Sequence, residues 1–186
     1  GLPRRPISIV AEDFKNPALT PIFSALRSRT GHRMIPQERA MIRLLKVLKK
    51  GGQIAFLSDL PVKPDQSATV IECFGMKTSV TILHSVLARR TGLPIVGAIC
   101  FPREDGGYLF RHLEPWYVTP EMTEVDIAQR CWDMFEPFIR EQPEHWIWMY
   151  KHWRYLPPGA DKSRYPSYAR ERKAFSELFE RVGAES

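Results

Sequence analysis

The chain has 186 residues, enough for one domain with a sizeable core. Its content of 44% hydrophobic and 26% charged residues is that of an ordinary folded protein and excludes fibrous and disordered classes. A formal charge of +6 favours an anionic partner (a phosphorylated lipid, an acidic carrier protein, a membrane surface or nucleic acid), although the same charge also serves simple solubility.

Ile7–Val10 reads as a short strand. Asn16 is positioned to cap a helix with Pro17 at its first position, Ile22, Phe23 and Leu26 inward and Gly31 as its stop. Arg27 and Arg29 fall in the last turn of that helix. Two readings stand side by side for them: cations suit the carbonyl end of a helix, and guanidinium forks match phosphate oxygens. His32–Ile35 predicts another short strand. Pro36 then opens a helix through Lys50, with the stripe Met41, Leu44, Leu45 and Leu48 inward. Arg39, Arg43, Lys46, Lys49 and Lys50 mostly take the opposite face, as a solvated surface or a membrane-contact surface.

Gly51 and Gly52 end that helix, and Gln53–Ser58 follows as the expected central strand, closed by Asp59. Pro61–Ser67 is a loop able to cover substrate. Thr69–Cys73 is a second buried strand, with Gly75 allowing a tight backbone or a close ligand approach and Lys77 just beyond. Thr78 is expected to cap a helix reaching Arg90, with Val80, Leu83, Val86 and Leu87 inward and His84 a structural histidine. Gly92 stops it. Ile95–Phe101 is a third strand, Glu104–Gly107 a hairpin turn, and Tyr108–Leu113 the antiparallel return, so the sheet is expected to be mixed. Arg103, just past the strand, either binds a substrate anion or pairs with Glu104 or Asp105.

A helix is expected from Thr119 to Glu141, with Ile127, Cys131, Phe135 and Phe138 inward and Pro137 kinking or splitting it. Trp146–Tyr150 alternates as a strand would, with Trp146, Trp148 and Tyr150 on one face. Lys151–Tyr155 interleaves bases with aromatics, a pattern open to nucleic acid, a membrane interface or a structural role. Leu156–Gly159 is a linker, and the stretch from Ser167 reads as a docked amphipathic helix. The three cysteines, Cys73, Cys100 and Cys131, are odd in number and widely spaced, which fits neither a disulfide framework nor a zinc site and points to a reducing compartment. No run approaches the roughly 20 apolar residues of a membrane span, and no nucleotide or metal motif is present.

The order of these pieces resembles the bacterial lipid A acyltransferase family. Its Gly-Gly, buried strand ending in Asp, Phe-Gly step and Thr-Gly-x-Pro strand appear as Gly51-Gly52, Leu57-Ser58-Asp59, Cys73-Phe74-Gly75 and Thr91-Gly92-Leu93-Pro94. Upstream, Lys15-Asn16-Pro17 and Arg27-Ser28-Arg29-Thr30-Gly31 are similar to its Lys-Asn-Pro and Arg-x-Arg-x-Gly segments. Downstream, Pro143-Glu144-His145-Trp146-Ile147-Trp148 is similar to its closing Pro-Glu-x-Trp-x-Trp. The resemblance runs from about Ile7 to Tyr155. One departure stands out: the family's catalytic motif is a His, four residues, then Asp or Glu. Here the fifth residue after each histidine is Gln37, Arg89, Tyr117, Tyr150 or Pro157.

The resemblance implies an α/β fold of glycerol-phosphate-acyltransferase type, with a mixed, mainly buried β-sheet flanked by helices. It implies residues 1–155 as part of an acyltransferase domain, and leaves 156–186 as a linker and terminal helix. The implied reaction moves a fatty acyl group from acyl-carrier protein to a hydroxyl of a phosphorylated glycolipid precursor, with a His general base oriented by a carboxylate. With the motif absent, the expectation is that this chain is the C-terminal portion of a longer protein whose catalytic pair lies upstream, and that alone it is inactive. A member whose catalytic pair has been lost outright is the other reading. Asp59, otherwise a turn cap, becomes a supporting carboxylate, and Arg27, Arg29, Lys77 and Arg103 become anion contacts. The implied setting is the cytoplasmic face of the bacterial inner membrane, with no cofactor, no metal and no nucleic acid. Acylation of a phosphatidylinositol mannoside is the alternative within the family, and a non-catalytic basic lipid- or nucleic-acid-binding module is the alternative outside it.

Overall fold

The computed structural model describes residues 6–11, 16–29, 31–36, 39–65 and 67–184, apart from the side chains of Ala11, Arg27 and Ser28. The chain is a mixed α/β protein, as expected, but its strands are distributed over four small sheets instead of one. It divides into two compact units, residues 1–57 and 58–186.

In the first unit, β1 (Ile7–Ala11) is the centre of a three-stranded parallel sheet, flanked by β2 (Arg33–Pro36) and β3 (Gln53–Ala55). The strand expected to be central therefore lies at an edge and stops early; Leu57 is 69% exposed, so the apolar run does not continue as a buried strand. Parallel neighbours need crossovers, and α1 (Leu19–Ser28) and α2 (Ala40–Lys49) supply them. Asn16 accepts from the Ala18 N–H at 3.0 Å, an Asx turn that delays the helix beyond the expected cap. Pro36 belongs to β2 rather than to α2, where it pairs with Ala11. On α2 the apolar stripe is as read: Leu44 is fully buried, and Arg43, Lys46, Lys49 and Lys50 are exposed. Gly51 at φ 71° turns the chain out of the helix, and a Cβ on Gly52 would lie 2.7 Å from Val47 Cγ1. The Gly-Gly pair thus permits both the turn and the close packing.

In the second unit, β4 (Ala68–Cys73) and β5 (Met76–Thr81) form an antiparallel hairpin closed by Phe74 and Gly75. Thr78 lies in β5, so the expected helix over 78–90 shortens to α3 (Leu83–Thr91). The antiparallel ladder from Glu72–Lys77 to Ala68–Thr81 satisfies this backbone better than a helical cap at Thr78. β4 is buried on both faces with period two. Ile71 and Cys73 meet Val80, Ala128, Trp132, Trp146 and Trp153, while Ala68 and Val70 meet Phe175 and Leu178.

β6 (Ala98–Pro102) and β7 (Tyr108–His112) are the expected hairpin, with Tyr108 and Phe110 exposed. α4 (Glu124–Asp133) begins at a Thr123–Asp126 capping box, and Pro137 separates it from α5 (Glu136–Glu141), a split foreseen from the proline. Residues 146–150 form turns, not a strand: the Trp148 N–H donates to Trp146 O and the His152 N–H to Tyr150 O. β8 (Tyr155–Leu156) pairs with β9 (Arg170–Glu171), and α6 (Lys173–Ala184) lays Phe175 and Leu178 on β4. Cys73 and Cys131 are buried, and Cys100 is exposed on β6. Among the described residues no helix is long and apolar enough to cross a membrane.

Candidate functional site: Asp59 and the Phe74–Gly75 turn

The turn between β4 and β5 has positive φ at both central residues, 51° at Phe74 and 75° at Gly75. A two-residue hairpin loop of this kind matches the twist of its strands, but a left-handed Phe costs about 1–2 kcal/mol. The neighbourhood offsets that strain. The Phe74 N–H donates to Glu136 Oε2 at 2.9 Å, and the Arg140 guanidinium lies 4.8 Å above the Phe74 ring. Trp132, Trp146, Trp148 and Trp153 surround that ring, with centroids 5.5–6.4 Å away.

Each of these four indoles also finds an acceptor for its N–H. Trp132 donates to Glu136 at 2.9 Å, Trp146 to Asp59 Oδ2 at 3.2 Å, Trp148 to Pro143 O at 2.6 Å and Trp153 to Cys73 O at 3.2 Å. Asp59 is half-buried, and among the described residues only its Oδ2 is engaged. Its carboxylate is thus oriented by an indole while Oδ1 stays available to a second donor. Glu136 is fully committed, since its Oε1 takes the Arg140 Nε and Nη2 at 2.9 and 2.7 Å. Burial pushes the Glu136 carboxyl up, but bonds from Phe74, Trp132 and Arg140, with the Arg140 charge, hold it below its usual value.

His152 stacks on Trp146 with centroids 4.1 Å apart. It is buried, and its Nε2 lies 3.1 Å from Ile147 O. Burial lowers its pKa, against opposing contributions from Ile147 O and the Asp59 charge. With Nε2 beside a carbonyl and the ring stacked on Trp146, His152 serves the packing of this cluster.

The remaining sequence-derived candidates are dispersed. Lys77 faces its cross-strand partner Glu72, with Nζ 3.4 Å from Oε2. Arg103 pairs with Asp105 across the hairpin turn at 2.9 Å, so the carboxylate partner weighed in the sequence reading is present. No hydrogen bond or ion pair joins Asp59, Lys77 and Arg103 among the described residues. Arg29 is exposed at the end of α1 in the first unit, and the Arg27 side chain, Lys15 and Thr30 lie outside the described residues. A cavity of about 320 Å³ beside Gly75 is walled by Glu72, Asp133 and Glu136 with the single cation Arg140, a charge balance unsuited to an anion. Glu136, Arg140 and Gln129 were not singled out from the sequence. Gln129 bridges the Glu72 N–H and C=O at 2.7 and 2.9 Å, a contact 57 residues away that no local pattern announces. The i, i+4 spacing of Glu136 and Arg140 was the one visible signal.

A mixed α/β chain with Gly51-Gly52, Asp59 beyond a short strand, a Phe-Gly hairpin turn and an indole-rich closing segment fits the acyltransferase class its order of motifs suggested. The sequence profile described as bacterial lipid A biosynthesis acyltransferase matches residues 3–155, and the chain belongs to that family. Its function is therefore of the lipid A biosynthesis acyltransferase type. None of the curated proteins matches the chain.

Proposed function

We propose that this chain is the acceptor-side scaffold of an acyltransferase that moves a fatty acyl group from acyl-carrier protein to a hydroxyl of a phosphorylated glycolipid. Asp59 carries the reading: a half-buried carboxylate with one oxygen held by the Trp146 indole and the other without a hydrogen bond among the described residues. In this role Asp59 orients a histidine or the acceptor hydroxyl. The general base takes the hydroxyl proton, the oxygen attacks the thioester carbon, the C–S bond breaks, and the proton leaves with the carrier thiol. The His-x4-Asp/Glu pair that performs the proton transfer is supplied by sequence outside these 186 residues, since none of the five histidines makes the motif.

Arg27, Arg29, Lys77 and Arg103 are the anion contacts of this proposal; Lys77 and Arg103 must exchange their carboxylate partners for substrate phosphate. Exposed Ile147, Trp148, Met149 and Tyr150, next to Lys151 and Arg154, support a membrane surface as a further partner and the inner face of the bacterial inner membrane as the setting.

The test supplies acyl-carrier thioester and a phosphorylated glycolipid to the 186-residue chain, alone and joined to a His-x4-Asp/Glu segment from another family member. The chain alone is expected to give no ester; turnover by it would overturn the placement of the base elsewhere. The joined protein is expected to turn over, with Asp59→Asn lowering the rate about 10²-fold. An unchanged rate in that variant would remove Asp59 from the mechanism.

A further inference from the structure

Charge is unevenly divided along the chain. Residues 1–57 hold 11 Lys and Arg against 3 Asp and Glu, a net +8, whereas residues 58–186 hold 16 against 18, a net −2.

Three of these cations converge on one cavity. It has a volume of about 410 Å³ and is lined by Ser8, Arg33, Lys46 and Lys50, by the apolar Pro6 and Val47, and by the Gly51–Gly52 turn. Arg33 opens β2, Ser8 lies near the start of β1, and Gly52 precedes β3, so the cavity sits at the amino ends of all three parallel strands. α/β sites usually form at the carboxyl ends, so this cavity stands apart from where chemistry is expected. Lys46 and Lys50 are one helical turn apart and share a face of α2. No salt bridge or side-chain hydrogen bond engages Arg33, Lys46 or Lys50 among the described residues.

The carbonyl end of α2 accounts for part of this charge, because cations there complement the helix dipole. That role does not require Arg33, which comes from a different element. The Lys50, Gly51 and Gly52 amides are spent on Val47 and Leu48 carbonyls, so any ligand is held by side chains. Three convergent cations, none in an ion pair among the described residues, match a dianion better than a monoanion.

We propose that this cavity binds a phosphomonoester, carried either by a membrane lipid headgroup or by a free phosphate compound. The inference goes beyond acyl transfer and does not depend on it, since binding is measured on the chain without turnover. A phosphomonoester carries about −1.5 to −2 charge at pH 7 with a second pKa near 6, whereas a diester carries a single charge.

The experiment titrates the full chain with inorganic phosphate and with dimethyl phosphate. A parallel series uses phosphatidylcholine vesicles doped with phosphatidic acid or with phosphatidylglycerol. The monoester of each pair is expected to bind more tightly. Its affinity falls as pH drops from about 7.5 to about 5, because the ligand loses its second charge while Lys and Arg keep theirs. The R33Q/K46Q/K50Q variant should lose about tenfold, since each exposed charge contact contributes modestly. The control R43Q/K49Q, exposed cations of the same helix outside the cavity, should change affinity less than about twofold. Phosphatidic acid vesicles outcompeting inorganic phosphate identify a lipid source, and inorganic phosphate binding without vesicle binding identifies a free one. K46Q and K50Q singly, checked by circular dichroism, keep the test valid if the triple variant misfolds. Equal binding of monoester and diester, or equal losses in the two variant sets, would reduce the cavity to diffuse surface charge and overturn the proposal.

Discussion

Glu136 accepts four hydrogen bonds from three residues, and the left-handed conformation of Phe74 depends on one of them. Replacing Glu136 by Ala leaves the Phe74 amide and the Trp132 indole without their acceptor, at a cost of about 2–3 kcal/mol. Urea unfolding is expected to show a lower midpoint with an unchanged slope; a midpoint equal to wild type would refute the role. Because its folded pKa lies below the ordinary 4.5, the stability Glu136 contributes is complete above that pH and lost as pH falls through the lowered value. His84 acts in a separate window. Burial lowers it from 6.5 to about 4, so it folds uncharged. Its unfolded form binds the proton more readily, so stability is full above pH 6.5 and declines towards pH 4, by up to about 3 kcal/mol. Melting temperatures of His84→Gln should vary less with pH across that interval than those of wild type; a parallel pair of curves would exclude the histidine as the source.

The β4 strand is the element on which the second unit turns, with α4 and the indoles on one face and α6 on the other. Phe175 on α6 is fully buried against it, and Phe175→Ala is expected to cost about 3–5 kcal/mol by thermal or urea unfolding. A loss under about 1 kcal/mol would mean that α6 is not part of the cooperative core. Elements whose signals are local were legible in the sequence: the apolar stripe of α2 with its Gly-Gly stop, Gly92 closing α3, and the proline dividing α4 from α5. Elements defined by pairing were legible only where a local turn announces them, as Glu104–Gly107 does for the β6–β7 hairpin. Thr78 has the chemistry of a helix cap, but its neighbours' backbone groups bond to β4. Trp146, Trp148 and Tyr150 alternate like a strand, yet Trp146 is buried among rings while Tyr150 is 42% exposed, because no strand among the described residues pairs with them.

At the scale of the whole molecule, the order of short motifs identified the family although the sheet expected to unite them is split into small ones. Motif order survives such a difference because each motif answers a local need. Gly51-Gly52 is dictated by Val47, and Phe74-Gly75 by a two-residue turn. The site was less legible. The bond from Trp146 to Asp59 spans 87 positions and that from Phe74 to Glu136 spans 62, so neither leaves a periodic trace. The charge division between the units was open to view as a sum but not as a cavity, since Arg33 and Lys46 meet only through the β2–β1–β3 order.

The cysteines give this architecture a chemical readout. Burial raises the Cys73 thiol far above its usual range and pushes Cys131 up to about 12, while Cys100 lies open on its hairpin. A maleimide applied to the native protein should therefore add one mass increment, at Cys100, and two more only after denaturation. The rate at which the second and third increments arrive in mild denaturant reports how often the β4 and α4 core opens, so a single reagent and a mass spectrometer can follow the integrity of the second unit while its partners are sought.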